Sequence, residues 1–151
     1  MMLLLFGTVQ LARVFYVYHA LQKAVRGGTA MLVRSVNVDY CNPGGDLTIQ
    51  DAKNFIVYGN LQGLGQPVVP GLTADLIQVF AERSGTGSTV QACTCSEDDT
   101  DPASCRSTVG QRPDFVVINF GSGFPLSIPF SFVNLSSVNL RVSVRMPVIG
   151  G

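Results

Sequence analysis

The chain opens on MMLLLFGTVQLA, twelve residues without a charge, and Met1–Phe6 would be apolar on every face of a helix. Arg13 ends that run. From there Val14, Val17, Leu21, Ala24, Gly28 and Met31 recur at spacings of three and four, while His19, Gln22, Lys23 and Arg26 fall on another face. That period predicts one long helix to about Val36, apolar all round at its start and amphipathic later. Such a helix suits a first part set in a membrane or filament core and a second part packed on a globular head. A buried N-terminal helix of a soluble domain is the alternative. Six consecutive apolar residues covering all faces argue against it.

Past this helix the pattern changes. Asp39–Asp46 (DYCNPGGD) is a turn cluster, with Pro43 and two glycines blocking helix continuation. A second helix is expected from Thr48 to Tyr58, with Thr48 and Asp51 resembling a capping box and Gly59 standing where a left-handed terminator belongs. Its apolar face is Ile49, Ala52, Phe55 and Ile56. Residues 59–73 read as a loop. Strands are expected at Ala74–Glu82, Thr89–Cys93 and Asp114–Phe120, with a turn at 85–88. Residues 121–136, rich in Gly, Pro, Ser and Phe, separate these from Val138–Val148 (VNLRVSVRMPV). That last segment alternates most cleanly: Leu140, Val142, Val144 and Met146 point one way, Asn139, Arg141, Ser143 and Arg145 the other. The expected fold is α+β. A long N-terminal helix (residues 1–36) forms a membrane or filament spine, packed on a small antiparallel sheet head (residues 37–151) that includes one short second helix.

Charged residues make up 13% of the 151-residue chain, and net charge is zero. Bulk electrostatics therefore gives no case for nucleic acid. The charge is unevenly placed. Residues 1–36 carry Arg13, Lys23, Arg26 and Arg34 with no acid; residues 37–104 hold nine acids against Lys53 and Arg83; residues 105–151 carry four arginines and Asp114. A basic helix is followed by an acidic middle, which could attract within one fold or between neighbours. Cys41, Cys93, Cys95 and Cys105 all lie outside the long helix and point to an oxidising compartment. Cys93 and Cys95 are too close along an extended chain to bridge each other comfortably. Cys95–Cys105 with Cys41–Cys93 remains open beside the arrangement in which Cys93 and Cys95 exchange partners, as do free thiols and a zinc site, although C-x-C-x9-C is not a usual zinc spacing.

A spanning helix needs about 20 residues, and twelve cover only about 18 Å of a hydrocarbon core about 30 Å thick. A secretory signal fits the length of the run but not its flanks: no basic region precedes it and no small-x-small cleavage site follows. The preferred reading is a truncated transmembrane segment, which about 8 to 10 further apolar residues would complete. Met1, Met2, Leu3, Leu4, Leu5, Phe6, Val9 and Leu11 would then make the membrane or filament contact. Small Ala24, Gly27 and Gly28, with Ala30, would let a partner backbone or the sheet approach the helix. Two adjacent glycines cost about 1 kcal/mol each relative to alanine, which close packing would offset; ending or kinking the helix is the other reading. Gly28→Leu is accordingly expected to impair assembly while sparing the head.

Catalytic chemistry is sparse. His19, the only histidine, reads as a surface or interface residue on the helix, and a Ser-His-Asp arrangement would have to draw on it there. Gly63-Leu64-Gly65 and Gly121-Ser122-Gly123 lack the lysine and spacing of a phosphate loop. Glu97, Asp98, Asp99 and Asp101 could offer oxygens to calcium but lack the glycine and terminal Glu of an EF-hand; a solvated loop fits better. Asn134-Leu135-Ser136 fits a glycosylation sequon, a triplet frequent by chance. No enzyme activity, cofactor, metal or small-molecule substrate is expected.

Phe6–Val33 resembles the N-terminal helix of TadE-like proteins. Phe6-Gly7, Arg13, Phe15-Tyr16, Ala20-Leu21 and Ala24-Val25-Arg26-Gly27-Gly28 occupy the places of that family's apolar run, arginine, aromatics, Ala-Leu step and Ala-x-Arg-x-Gly block. NFIVYGN (54–60) with Val69-Pro70-Gly71-Leu72 resembles its second block, and the tail from Phe124-Pro125-Leu126 through Ile128-Pro129 to VNLRVSVRMPV its last loop and closing strand. The sequence departs from the prepilin pattern in having no acid before Asp39. The resemblance implies a minor pilin or pseudopilin in building a Flp-type (tight adherence) type IV pilus. It would be single-pass in the bacterial inner membrane, with its head on the periplasmic side. The implied partners are other pilin-like subunits and inner-membrane pilus assembly proteins. A membrane-anchored periplasmic binding module outside any filament is the alternative function.

Overall fold

The computed structural model describes residues 2–85, 89–96, 101, 104–105, 112–126 and 138–149. Helix α1 runs Met2–Leu32, continuing unbroken through Gly27-Gly28. It ends four residues before Val36, because the last turn tightens. Arg34 and Ser35 donate to the carbonyls of Met31 and Leu32 at 3.3 and 3.1 Å, the Ser35 hydroxyl donates to Met31, and Asn37 takes φ 64°. Asparagine tolerates that left-handed geometry better than a branched residue would.

Helix α2 runs Leu47–Tyr58. Its cap is Asp46, not the expected Thr48. One Asp46 carboxylate oxygen accepts from the Ile49 N–H at 3.0 Å and the other from the Asp39 N–H at 2.8 Å. A single side chain thus caps α2 and closes the turn that follows α1. The helix stops as expected at Gly59, φ 74°, whose N–H bonds the Phe55 carbonyl.

A 3₁₀ turn at Ala74–Leu76 occupies the start of the first expected strand and leads into β1, Ile77–Ser84. The remaining strands described are β2 (Val90–Ala92), β3 (Phe115–Phe120), β4 (Phe124–Leu126), β5 (Val138–Leu140) and β6 (Ser143–Pro147). β2-β1-β3-β6 form one antiparallel sheet, and β4-β5 form a separate pair. The register places Ile77 opposite Phe120, Val79 opposite Ile118 and Ala81 opposite Val116. Ile118 in turn faces Val144, and Val116 faces Met146. These residues form the sheet's inner face, which meets α1 in a core with Val17, Leu21, Val25 and Leu32. Ile49, Ala52, Ile56 and Val57 of α2 close the core.

The segment Val138–Val148 is not the single strand its alternation suggests. Val138–Leu140 pairs with β4, whereas Ser143–Pro147 pairs with β3. The chain changes sheets at Arg141-Val142, with Val142 buried and Arg141 exposed. Alternation records which side is wet, and the sidedness survives the change of partner. The fold is α+β, a long helix and a short one packed on a small antiparallel sheet.

Candidate assembly surface on the long helix

Two halves of α1 meet different surroundings. Leu4 and Leu5 keep 77% and 63% of their surface, and Phe6, Val9, Leu11, Phe15 and Tyr16 are also exposed. Met1 and the side chains of Met2 and Leu3 lie outside the described residues. The head covers one stripe, beginning at buried Gln10 and continuing through half-buried Val14 to Val17, Leu21 and Val25. Gln10 was not among the expected contacts. Its polarity hid the fact that it stands four and seven residues before Val14 and Val17, on the same face.

Further along, the small residues serve the head itself. A Cβ on Gly27 would lie 2.7 Å from Phe55 Cε1; one on Gly28 would lie 2.5 Å from Ile56 Cγ1 and 3.3 Å from the Ala52 carbonyl oxygen. The partner that approaches α1 here is α2, so substitution of Gly28 strikes the head first, contrary to the expectation that it would be spared. Ala24 is half-buried against the same core. At the crossing, Gly27, Met31, Phe55, Gly59, Asn60, Leu61 and Gln62 line an open groove of about 410 Å³.

The cysteines form two disulfides, Cys41–Cys95 and Cys93–Cys105. This is the exchanged pairing of the two left open by the sequence. Cys41–Cys95 joins the turn after α1 to the end of β2, tying the helical layer to the sheet. Around the second bridge, the Arg83 guanidinium donates to the Ser104 carbonyl at 2.8 Å, and the Cys105 N–H donates to the Thr94 carbonyl. Asp101 accepts from the Thr94 hydroxyl at 2.6 Å. Glu97, Asp98 and Asp99 lie outside the described residues, as do Asn134-Leu135-Ser136. Among the described residues no three His, Cys, Asp or Glu side chains are grouped to hold a metal ion.

His19 is exposed, its ring edge-on to Tyr18. Gly63-Leu64-Gly65 sits in the loop after α2, where the Asn60 side chain bonds both the N–H and the carbonyl of Leu64. Gly121-Ser122-Gly123 forms the turn between β3 and β4. On the outer face of the sheet Arg145 bonds Glu82 at 2.8 Å and stacks 3.9 Å from the Phe115 ring centre. Burial, reinforced by the nearby Asp46 carboxylate, pushes the Tyr40 phenol well above its ordinary value.

These features define a class: an α+β head, tied by disulfides, packed on a helix that leaves Leu4, Leu5, Phe6, Val9 and Leu11 exposed. Among the described residues α1, over Leu4–Leu32, is long and apolar enough to cross a membrane. Residues 1–29 match the family model of TadE-like protein, in agreement with the resemblance carried by the same helix. No curated protein and no solved structure matches the chain.

Proposed function

We propose that this protein is a TadE-like minor pilin or pseudopilin that acts in biogenesis of a Flp-type, tight-adherence pilus, and that its work is assembly rather than catalysis. In this reading α1 anchors the chain in the bacterial inner membrane and the head stands on the periplasmic side, where oxidising conditions suit its two disulfides. Its partners are pilin-like subunits and inner-membrane assembly proteins.

The observation that carries the reading is the match of residues 1–29 to TadE-like protein on a helix whose apolar end the head leaves uncovered. Burying Leu4, Leu5, Phe6, Val9 and Leu11 in lipid or among neighbouring helices is worth about 1.5–3 kcal/mol per side chain. A folded protein does not ordinarily leave such a run in water. Cross-linking in cells from a photoreactive residue at Leu5 or Val9 tests the proposal. Adducts with pilin-like or pilus assembly proteins, and loss of piliation on deletion of the gene, are expected. Normal piliation without the protein, and no such adducts, would overturn it.

A further inference from the structure

The groove at the crossing of α1 and α2 takes Gly27 and Met31 from one helix and Phe55 and Gly59 from the other, with Asn60, Leu61 and Gln62 closing its end. None of these residues is charged. Four residues back along each row a charge appears: Lys23 precedes Gly27 on α1, and Asp51 precedes Phe55 on α2. Residues four apart are neighbours on a helix surface, so one lip of the groove carries a cation and the other an anion. Lys23 is exposed and Asp51 half-buried, and among the described residues neither is held in an ion pair.

We infer that this face of the helix pair docks on the same face of a second copy of the chain, with Lys23 of each protomer against Asp51 of the other. Charge complementarity selects a copy as the occupant. A face with one positive and one negative lip matches itself when turned over about a two-fold axis along the groove, because that axis exchanges the lips. The axis follows the Gly27–Met31 row, and hence α1. It therefore leaves the two long helices pointing the same way, as two copies anchored in one membrane must. Glycine at 27 and 59 keeps the floor of the groove low, and Leu61 stands 41% exposed at its end. Met31, Phe55 and Leu61 of the two copies would form an uncharged centre between the two ion pairs, the composition of an interface core.

The inference names a partner within the assembly reading and rests on its shared membrane, and the test separates the two. Full-length protein in mild detergent is followed by sedimentation velocity across a range of concentrations, which gives the dimer Kd. An exposed ion pair contributes up to about fivefold and the two-fold makes two of them, so Lys23→Glu or Asp51→Lys alone should raise Kd by about tenfold. The double variant Lys23→Glu/Asp51→Lys should restore the wild-type Kd. Arg141→Glu, the same charge change at an exposed site off the helices, should leave it unaltered. A photoreactive residue at Gln62 should join a second copy at residues 23–31 or 51–62. Dimers indifferent to both single reversals, or singles that the double does not restore, would overturn the contact. So would Gln62 adducts with other proteins and none with a copy. Protein that stays monomeric at every concentration would also overturn it; adducts from Leu5 or Val9 with pilus assembly proteins would then leave the assembly reading standing, and their absence would remove both.

Discussion

The three glycines of α1 face three different surroundings, and alanine at each gives a graded test of how the helix is used. At Gly28 the new methyl would lie 2.5 and 2.6 Å from Ile56 Cγ1 and Cδ1, and 3.3 Å from the Ala52 carbonyl oxygen. Both neighbours are fully buried, and the carbonyl is backbone, so relief requires α1 and α2 to move apart or Ile56 to leave its rotamer. Overpacking of this kind costs about 1–3 kcal/mol, against a gain of about 1 kcal/mol in helix propensity. Gly28→Ala should therefore lose up to about 2 kcal/mol of stability. At Gly27 the clash is with the outer edge of the half-buried Phe55 ring, which can swing, so cost and gain nearly cancel. Gly7 has no neighbouring atom within 4 Å of its added Cβ, and Gly7→Ala should be neutral or stabilising by up to about 1 kcal/mol.

The chain has no tryptophan, so urea unfolding in detergent is best followed by far-UV circular dichroism, with both disulfides intact. Ile56→Ala alone should cost about 2–5 kcal/mol. Adding Gly28→Ala to it should cost nothing further, giving a coupling of at least about 1 kcal/mol. If Gly28→Ala stabilised as much as Gly7→Ala, or showed no coupling to Ile56, the packing of α1 on α2 described above would be refuted.

Two further outcomes follow from the head. Removing Cys41–Cys95 as a serine pair releases a separation of 54 residues, and removing Cys93–Cys105 releases one of 12. Chain-entropy arguments put the losses at about 4 and about 3 kcal/mol, so melting temperature should fall more for the first pair, and the reverse order would contradict the entropic account. Because burial, with Asp46 nearby, raises the Tyr40 phenol in the folded state, the unfolded chain gives up that proton first. The resulting stability is complete below pH about 10, the unfolded value, and is lost as pH rises through the folded value. Unfolding curves of wild type and Tyr40→Phe should therefore diverge above pH about 10, with wild type losing stability faster; parallel curves would show that Tyr40 is not buried as described.

What the sequence determined alone is what short-range periodicity encodes. The spacings of three and four that follow Arg13 are enough to specify one helix with a covered stripe, because its i, i+3 and i+4 side chains share a face whatever lies opposite. Gly59 as a terminator and the wet and dry sides of Val138–Val148 were legible for the same reason. Tertiary structure decided the rest. Asp46 displaced Thr48 as the cap because its carboxylate also reaches the Asp39 N–H from across the turn. The disulfide pairing depended on bringing the turn after α1 beside the end of β2, which residue spacing does not encode. Gly28 met α2 where a partner backbone or the sheet was expected, and VNLRVSVRMPV divided between two sheets. A pattern along one element states which face wants cover; only the folded chain settles what covers it.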